Sequence, residues 1–447
     1  MIFSAPRFVV VDDKVEHLGA ILNAFQQLGS PCIGIHYKPD QDLDPIHFRG
    51  VRALFLDLHL VDGIAKTDNR SQYAQIAAIL EGQISPTGGP FILVVWTENS
   101  QLSQELTKYL DDGLDKQKPH AHPLAVLCLA KEMFINVGDG TVTAPDELRK
   151  AVSDAVTSNP QLAALLGWEA DALVAAGDTL AELLKLVPVE ERISTSFPGA
   201  LSVILSRLAR EAVGRPNVEV NHRAAITTAL APILADRMLN QVASPETIEL
   251  WKRAVTSYDD DTLKGASPEE AGRINRMLHL AISGSETIRA TDWGAVVDLP
   301  AEIGNTDDEL RRAFDGTLVE LLDEEFKIKA ADYAKCRPCL VRVGAACDYA
   351  QKRRGPLTYL LGLEIPADLK RSVSPPGSEW KSPVVMLDGV QAPFRLHVNV
   401  RFPLSRPAAA CEAWQVRYRL RDQLLMLLVS HSSGYTSRPG IVQLPTK

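Results

Sequence analysis

The chain is poor in cysteine, with six in 447 residues, and only Cys336 and Cys339 stand close together. That excludes the disulfide framework that staples small secreted domains. Nor is there a run of about twenty apolar residues, the length a membrane-spanning helix needs, so no membrane association is expected. Met1-Ile2-Phe3-Ser4-Ala5-Pro6-Arg7 lacks the charged lead, apolar region and cleavage site of a secretory signal, and the cytoplasm is the expected compartment. Positive charge is also in deficit: the net charge is -9 and the isoelectric point lies near 5.7. Such a balance argues against general attraction to nucleic acid or anionic membrane. No helix-turn-helix signal and no cyclase, nuclease or nucleosidase signature is found, so a DNA-binding output is not expected.

Hydrophobic content of 46% and charged content of 23% are ordinary for a globular protein. At 447 residues the chain exceeds one ordinary domain. Its composition changes along its length and predicts three segments. Residues 1–158 alternate apolar runs with amphipathic stretches, residues 159–331 are dominated by long helical periodicities, and residues 332–447 turn strand-like.

The first segment is organised around Ala53-Leu54-Phe55-Leu56-Asp57-Leu58-His59-Leu60. An apolar run of this length reads as a strand buried on both faces of a parallel sheet. Asp57 then stands where the strand leaves the core, the edge at which open α/β sheets place their chemistry. Phe8 to Val11 delivers Asp12 and Asp13 to the same edge, Phe91 to Trp96 delivers Thr97, and Leu124 to Leu129 leads to Lys131. Between these runs, Val15, Leu18, Leu22, Phe25 and Leu28 share one helical face, as do Tyr73, Ile76 and Leu80, and Leu102, Leu106 and Leu110. Pro145 marks the start of a last helix. With a further strand over Cys32 to His36, five strands alternating with five helices predict a flavodoxin-like doubly wound parallel sheet.

Carboxylates packed together repel, and the usual remedies are a raised pKa or a bound divalent cation. Magnesium suits an all-oxygen site that keeps several waters. Beside it, Asp57 can act as a nucleophile towards phosphorus. Thr97 and Lys131 can hold the transferred oxygens, because phosphoryl transfer is catalysed largely by positioning and charge neutralisation.

The ordered set resembles the receiver domain of two-component response regulators. The resemblance implies that Asp57 is the phosphoacceptor and that Asp12 and Asp13 are the acidic pair for Mg²⁺. His59 matches the position whose backbone carbonyl completes the metal shell, Thr97 the switch hydroxyl, Lys131 the phosphoryl-binding lysine and Asp62-Gly63 the following turn. It also implies a histidine kinase partner, a downstream effector protein and, for assembly, a homodimer. Three positions depart from the pattern. Glu132 stands where the family usually has proline, Cys128 where many receivers carry an aromatic, and Glu98 where a small residue is usual. The resemblance therefore implies intact phosphorylation chemistry with an altered readout. A receiver without a recognisable effector is similar to the accessory receiver protein of Detocs-type phage-defence operons, which would make it a phosphoryl buffer.

Further on, helices are expected over Leu162 to Leu186, Ala200 to Ala212, Arg223 to Leu239, Glu269 to Ile282 and Glu309 to Leu322. Asp259-Asp260-Asp261 reads as a solvated turn, and His222 and His279 as surface or satisfied core histidines. Strands are expected over Leu340 to Val343, Leu357 to Leu363, Val384 to Leu387 and Phe394 to Phe402, then a helix over Trp414 to Val429. A small mixed β-rich domain, in the form of a partly closed barrel, is the resulting expectation. Cys336 and Cys339, with Cys347 and Cys411, offer thiols for a structural Zn²⁺ site, although one CxxC pair without a second falls short of a zinc motif. The alternative function is a receiver-regulated effector, enzymatic or nucleic-acid-binding, whose site lies around Cys347 and Asp348. Arg417, Arg419 and Arg421 are read as an exposed basic edge strand or helix turn.

Overall fold

The computed structural model describes residues 7–27, 32–38, 43–60, 69–97, 102–130, 133–136, 141–142, 144–257, 259–261, 265–282, 287–351, 353–371, 376–390 and 392–438. They fall into two compact units, residues 1–177 with 240–256, and residues 178–239 with 257–447.

In the first unit, β1 (Phe8–Asp12), β2 (Cys32–His36), β3 (Ala53–Asp57), β4 (Ile92–Trp96) and β5 (Ala125–Leu129) form a five-stranded sheet in the order β2-β1-β3-β4-β5. Every pairing in it is parallel. The central strands β3 and β4 are buried at every residue, as their uninterrupted apolar sequences require. Helix α1 (Val15–Gln27) packs Leu18, Ile21 and Phe25 against Val10, Phe55, Val94 and Trp96. On the opposite face, α2 (Asn69–Gln83) and α3 (Leu102–Gly113) bring Ile76, Leu80, Leu106 and Leu110 against Val9, Leu54, Leu93 and Val95. Burying one such side chain contributes roughly 1.5–3 kcal/mol, so these two apolar layers hold the sheet together. Helix α4 (Pro145–Thr157) completes the first face through Leu148.

Three details differ from the sequence expectation. Among the described residues, the β2–β3 connection carries only a 3-10 turn, Pro45–Phe48, capped by Asp44, whose side chain accepts from the Ile46 N–H at 2.9 Å. Pro45 and its flanking aspartates favour a turn over a helix. A short hairpin of β6 (Ile135–Asn136) and β7 (Thr141–Val142) separates β5 from α4. Val15, placed on the apolar face by periodicity, is instead exposed.

Helix α5 (Pro160–Lys185) is tied to the sheet by Glu169, which accepts from Arg52 Nε at 2.8 Å and Nη2 at 3.0 Å. Residues 240–256 rejoin this unit. There Gln241 donates to the Asp171 carbonyl at 2.8 Å, and the helix Pro245–Ala254 is capped by Ser244. Its short length and lack of any buried residue hid it from periodicity.

The second unit contains the helices Phe197–Val213 and His222–Leu239, then an antiparallel sheet. Its strands are β8 (Leu280–Ala281), β9 (Ala295–Asp298), β10 (Arg337–Val343), β11 (Leu357–Pro366), β12 (Glu379–Lys381), β13 (Phe394–Arg406) and β14 (Val416–Leu420), in the order β12-β13-β11-β10-β9-β14-β8. It is an open sheet among the described residues and not the expected partly closed barrel, because β12 and β8 each pair with a single neighbour. The strand expected at Val384 to Leu387 is reduced to one bridge, Val385 with Phe394.

Trp414 to Leu420 was expected to be helical. It supplies β14, and the helix begins only at Asp422. Alternating Arg417, Tyr418, Arg419 and Leu420 has the period of a strand, with Tyr418 and Leu420 buried. The helix expected over Glu309 to Leu322 stops at Phe314, where Asp315 takes a left-handed conformation with φ 57°. Thr306 starts that helix with a capping box to Glu309.

Candidate functional site

Strand register brings the two leading acids together. Val11 pairs with Leu56, so Asp12 and Asp57 leave the sheet side by side, and Asp57 in turn pairs with Trp96. Asp12 is fully buried and Asp57 nearly so. One donor atom from each of Asp12, His17 and Asp57 lies within 4.8 Å of the others. Backbone N–H groups hold the carboxylates: Lys14 N donates to Asp12 Oδ1 and His59 N to Asp57 Oδ1, each at 3.0 Å. Both are tight strand-to-loop corners, which is why the acids face the sheet edge.

Asp13 sits beside this pair. Burial pushes its carboxyl above the usual range, and the charges of Asp57 and Asp12 push it further. Its Oδ1 is buried with no hydrogen-bond partner. Its carbonyl oxygen lies 2.9 Å from His36 Nε2. An orphaned carboxylate oxygen beside two other carboxylates fits a hard divalent cation, which would take oxygens from Asp12, Asp13 and Asp57.

Thr97 follows β4 by one residue, half-buried, and its N–H donates to the Leu129 carbonyl at 2.9 Å. Lys131, Glu132, Glu98 and Asp62-Gly63 lie outside the described residues. Cys128, on β5, is half-buried, and burial pushes its thiol to about 11.

Sequence reading missed His17 and His36. His17 is the third residue of α1 and its Nδ1 lies 3.9 Å from Asp12 Oδ1. The available signal was its place in the first turn after an acidic strand end, where a helix side chain points back towards its own N-terminus. His36 ends β2 directly opposite Asp12.

The second unit does not assemble the other candidate sites. Cys339 belongs to one apolar core of the antiparallel sheet and Cys336 to the other, so the CxxC pair does not converge on a zinc site. Cys411 is buried and its thiol donates to the Pro407 carbonyl at 3.4 Å. Cys347 is exposed on the short helix Ala346–Ala350, 3.9 Å from its neighbour Asp348, whose carboxylate pairs with Arg353 at 3.5 Å. Arg417 is no exposed basic edge: its side chain is largely buried in an interior strand, 2.6 Å from Glu364 and 3.7 Å from Asp298, whereas Arg419 is half-buried and Arg421, at the N-cap of the last helix, is exposed as expected. Asp259, Asp260 and Asp261 are exposed, as a solvated turn should be.

No protein-family model matches the chain, and no curated protein matches it significantly. Among solved structures it is similar to full-length FixJ from B. japonicum, at 15% identity over 54% of this chain and 100% of that one, with a TM-score of 0.21. It is also similar to the response regulator StyR, at 13% identity over 56% of this chain and 100% of that one, with a TM-score of 0.15. Scores this low carry no weight, and the fold stands on strand order. The order β2-β1-β3-β4-β5, all parallel, with acids at its carboxyl edge, is that of flavodoxin-like proteins. The first unit has a flavodoxin-like fold. No helix among the described residues is long and apolar enough to cross a membrane.

Proposed function

We propose that the protein is a response-regulator-type phosphoprotein that accepts a phosphoryl group on Asp57 from a histidine kinase in the cytoplasm. One observation carries this reading: Asp12 and Asp57 meet within 4.8 Å at the carboxyl edge of the parallel sheet. A carboxylate oxygen of Asp57 attacks the phosphorus of the kinase's phosphoimidazole. The P–N bond breaks, the imidazole nitrogen leaves with the electron pair, and Asp57 becomes an acyl phosphate. A divalent cation, when bound, neutralises charge on the phosphoryl oxygens and on the acids. Asp12 and Asp13 would hold it, Thr97 would donate to a phosphoryl oxygen, and Lys131 would balance the charge of another.

The departures at Glu98, Cys128 and Glu132 support storage of the phosphoryl group over the usual switch. A buffering role beside a kinase, phage defence included, rests on domain order alone. The test is incubation with Mg²⁺ and a small acyl phosphate, followed by a phosphate-affinity gel. The expected result is a retarded band that Asp57→Ala abolishes completely. A band that persists in Asp57→Ala, or no band with any donor, overturns the proposal.

A further inference from the structure

The acids of a receiver-like site offer oxygen alone, but here an imidazole stands among them. His17 Nδ1 is 3.9 Å from Asp12 Oδ1, and its side chain is only 13% exposed, so the ring sits inside the rim of the site. Its donor atom belongs to the same group as those of Asp12 and Asp57, all within 4.8 Å. Opposite ligands of an octahedral ion with bonds of about 2.1 Å are roughly 4.2 Å apart, so small side-chain rotations close the set around one ion. The buried, unpartnered Asp13 Oδ1 is an independent sign that a cation completes this edge.

We propose that His17 is a nitrogen ligand to that cation and makes the site prefer a divalent first-row transition ion over magnesium. The inference rests on the reading of Asp12 and Asp57 as cation ligands. Magnesium favours oxygen and gives up its waters reluctantly, so an imidazole does little for it. Manganese and the ions after it accept carboxylate and imidazole together. His17 therefore adds affinity for those ions selectively. His36 and His59 are the other imidazoles at this edge, but His36 is engaged at the Asp13 carbonyl and neither belongs to the three-residue group.

The test uses the full chain and Mn²⁺. Calorimetric titrations compare Mn²⁺ with Mg²⁺, and pulsed electron paramagnetic resonance on the Mn²⁺ complex reads nitrogen-14 coupling directly. Wild type should show the coupling. His17→Ala should lose it and bind Mn²⁺ on the order of 10-fold or more weaker, the scale of a lost metal-site partner, with Mg²⁺ affinity changed about twofold or less. His17→Gln, which keeps size and polarity, should behave the same way, and His36→Ala should keep the coupling. Mn²⁺ binding that needs Asp57 but shows no nitrogen coupling, or coupling that survives in both His17 variants, overturns the inference and leaves the acidic cation site standing. Equal strengthening of both ions in His17→Ala also overturns it, since that is the mark of an imidazolium standing in for a metal. Absence of Asp57-dependent binding of either ion overturns the cation-site reading along with it.

Discussion

The two sheets treat buried carboxylates in opposite ways. At the edge of the parallel sheet, Asp12, Asp13 and Asp57 are gathered together, and Asp13 is pushed upward by burial and by the other two. In the antiparallel sheet each buried acid has its own arginine. Glu379 accepts from Arg371 at 2.7 and 2.8 Å and lies 2.6 Å from His397 Nδ1, while Glu364 is 2.6 Å from Arg417 and accepts from Tyr418 at 2.8 Å. Burial would raise the Glu379 carboxyl, but its bonds to His397 and Arg371 outweigh that and leave it below its ordinary value. Carboxylates matched one to one with cations belong to the architecture. Carboxylates gathered at one sheet edge, close enough that Asp12 and Asp57 raise Asp13, are the arrangement that suits a candidate cation site.

The largest expected effect follows from removing one side of a matched pair. Arg371→Leu leaves Glu379 buried against His397 alone, and breaking such a pair costs about 3–5 kcal/mol in chemical denaturation. A loss under about 1 kcal/mol would show that Glu379 reaches water and that the contrast between the sheets is overstated.

Acidity should separate Asp13 from the Glu379–His397 pair next, because these groups act with opposite sign, whereas burial raises Glu364 despite Arg417 and aligns it with Asp13. Asp13 has its folded pKa raised above 3.8, so the native state holds the extra proton and stability from this group falls as pH rises through that window. Glu379 is lowered from 4.5, so its contribution is present above that value and is lost as pH falls below it. His397 is lowered from 6.5, chiefly by burial and against the pull of Glu379, and its contribution is lost as pH falls below 6.5. Hydrogen exchange resolved by peptide should therefore show β12 and β13, which carry Glu379 and His397, losing protection between about pH 6.5 and 4. Asp13→Asn should remove the opposite trend in β1 and β3 and stabilise the metal-free protein at pH 7 by roughly 0.5–1 kcal/mol, the scale of a relieved partly exposed charge contact. Parallel pH trends in both sheets would break the comparison.

The smallest effect belongs to Arg401, which pairs with Glu325 at 3.1 Å but is 50% exposed. Arg401→Ala should cost no more than about 1 kcal/mol in the same denaturation assay, since exposed pairs are screened by water. A cost as large as that of Arg371→Leu would mean that position in the sheet, and not burial, sets the worth of these pairs.

Much of the first unit was legible because its strands are short apolar runs ending in named acids, and a parallel sheet buried on both faces leaves that mark in the sequence. The second unit was less so. Trp414 to Leu420 is apolar at helix-like spacing and strand-like spacing alike, and only its pairing with β8 and β9 decided for a strand. Arg417, expected at the surface with Arg419 and Arg421, is instead drawn in because its acid, Glu364 on β11, comes from a strand far away in sequence, while Arg421 stays exposed.

By itself, then, the sequence determined the alternation of strand and helix in the first unit and the residues Asp12, Asp13 and Asp57 at its carboxyl edge. Local periodicity and chain order suffice for that. Tertiary structure alone decided that His17 joins those acids, that Cys336 and Cys339 part to opposite cores, and that Arg371 and Arg417 are neutralised in the interior. Each of these depends on which side of an element meets which neighbour, and a side chain's partners across a sheet or around a helix corner are set by register and packing, which no local pattern records.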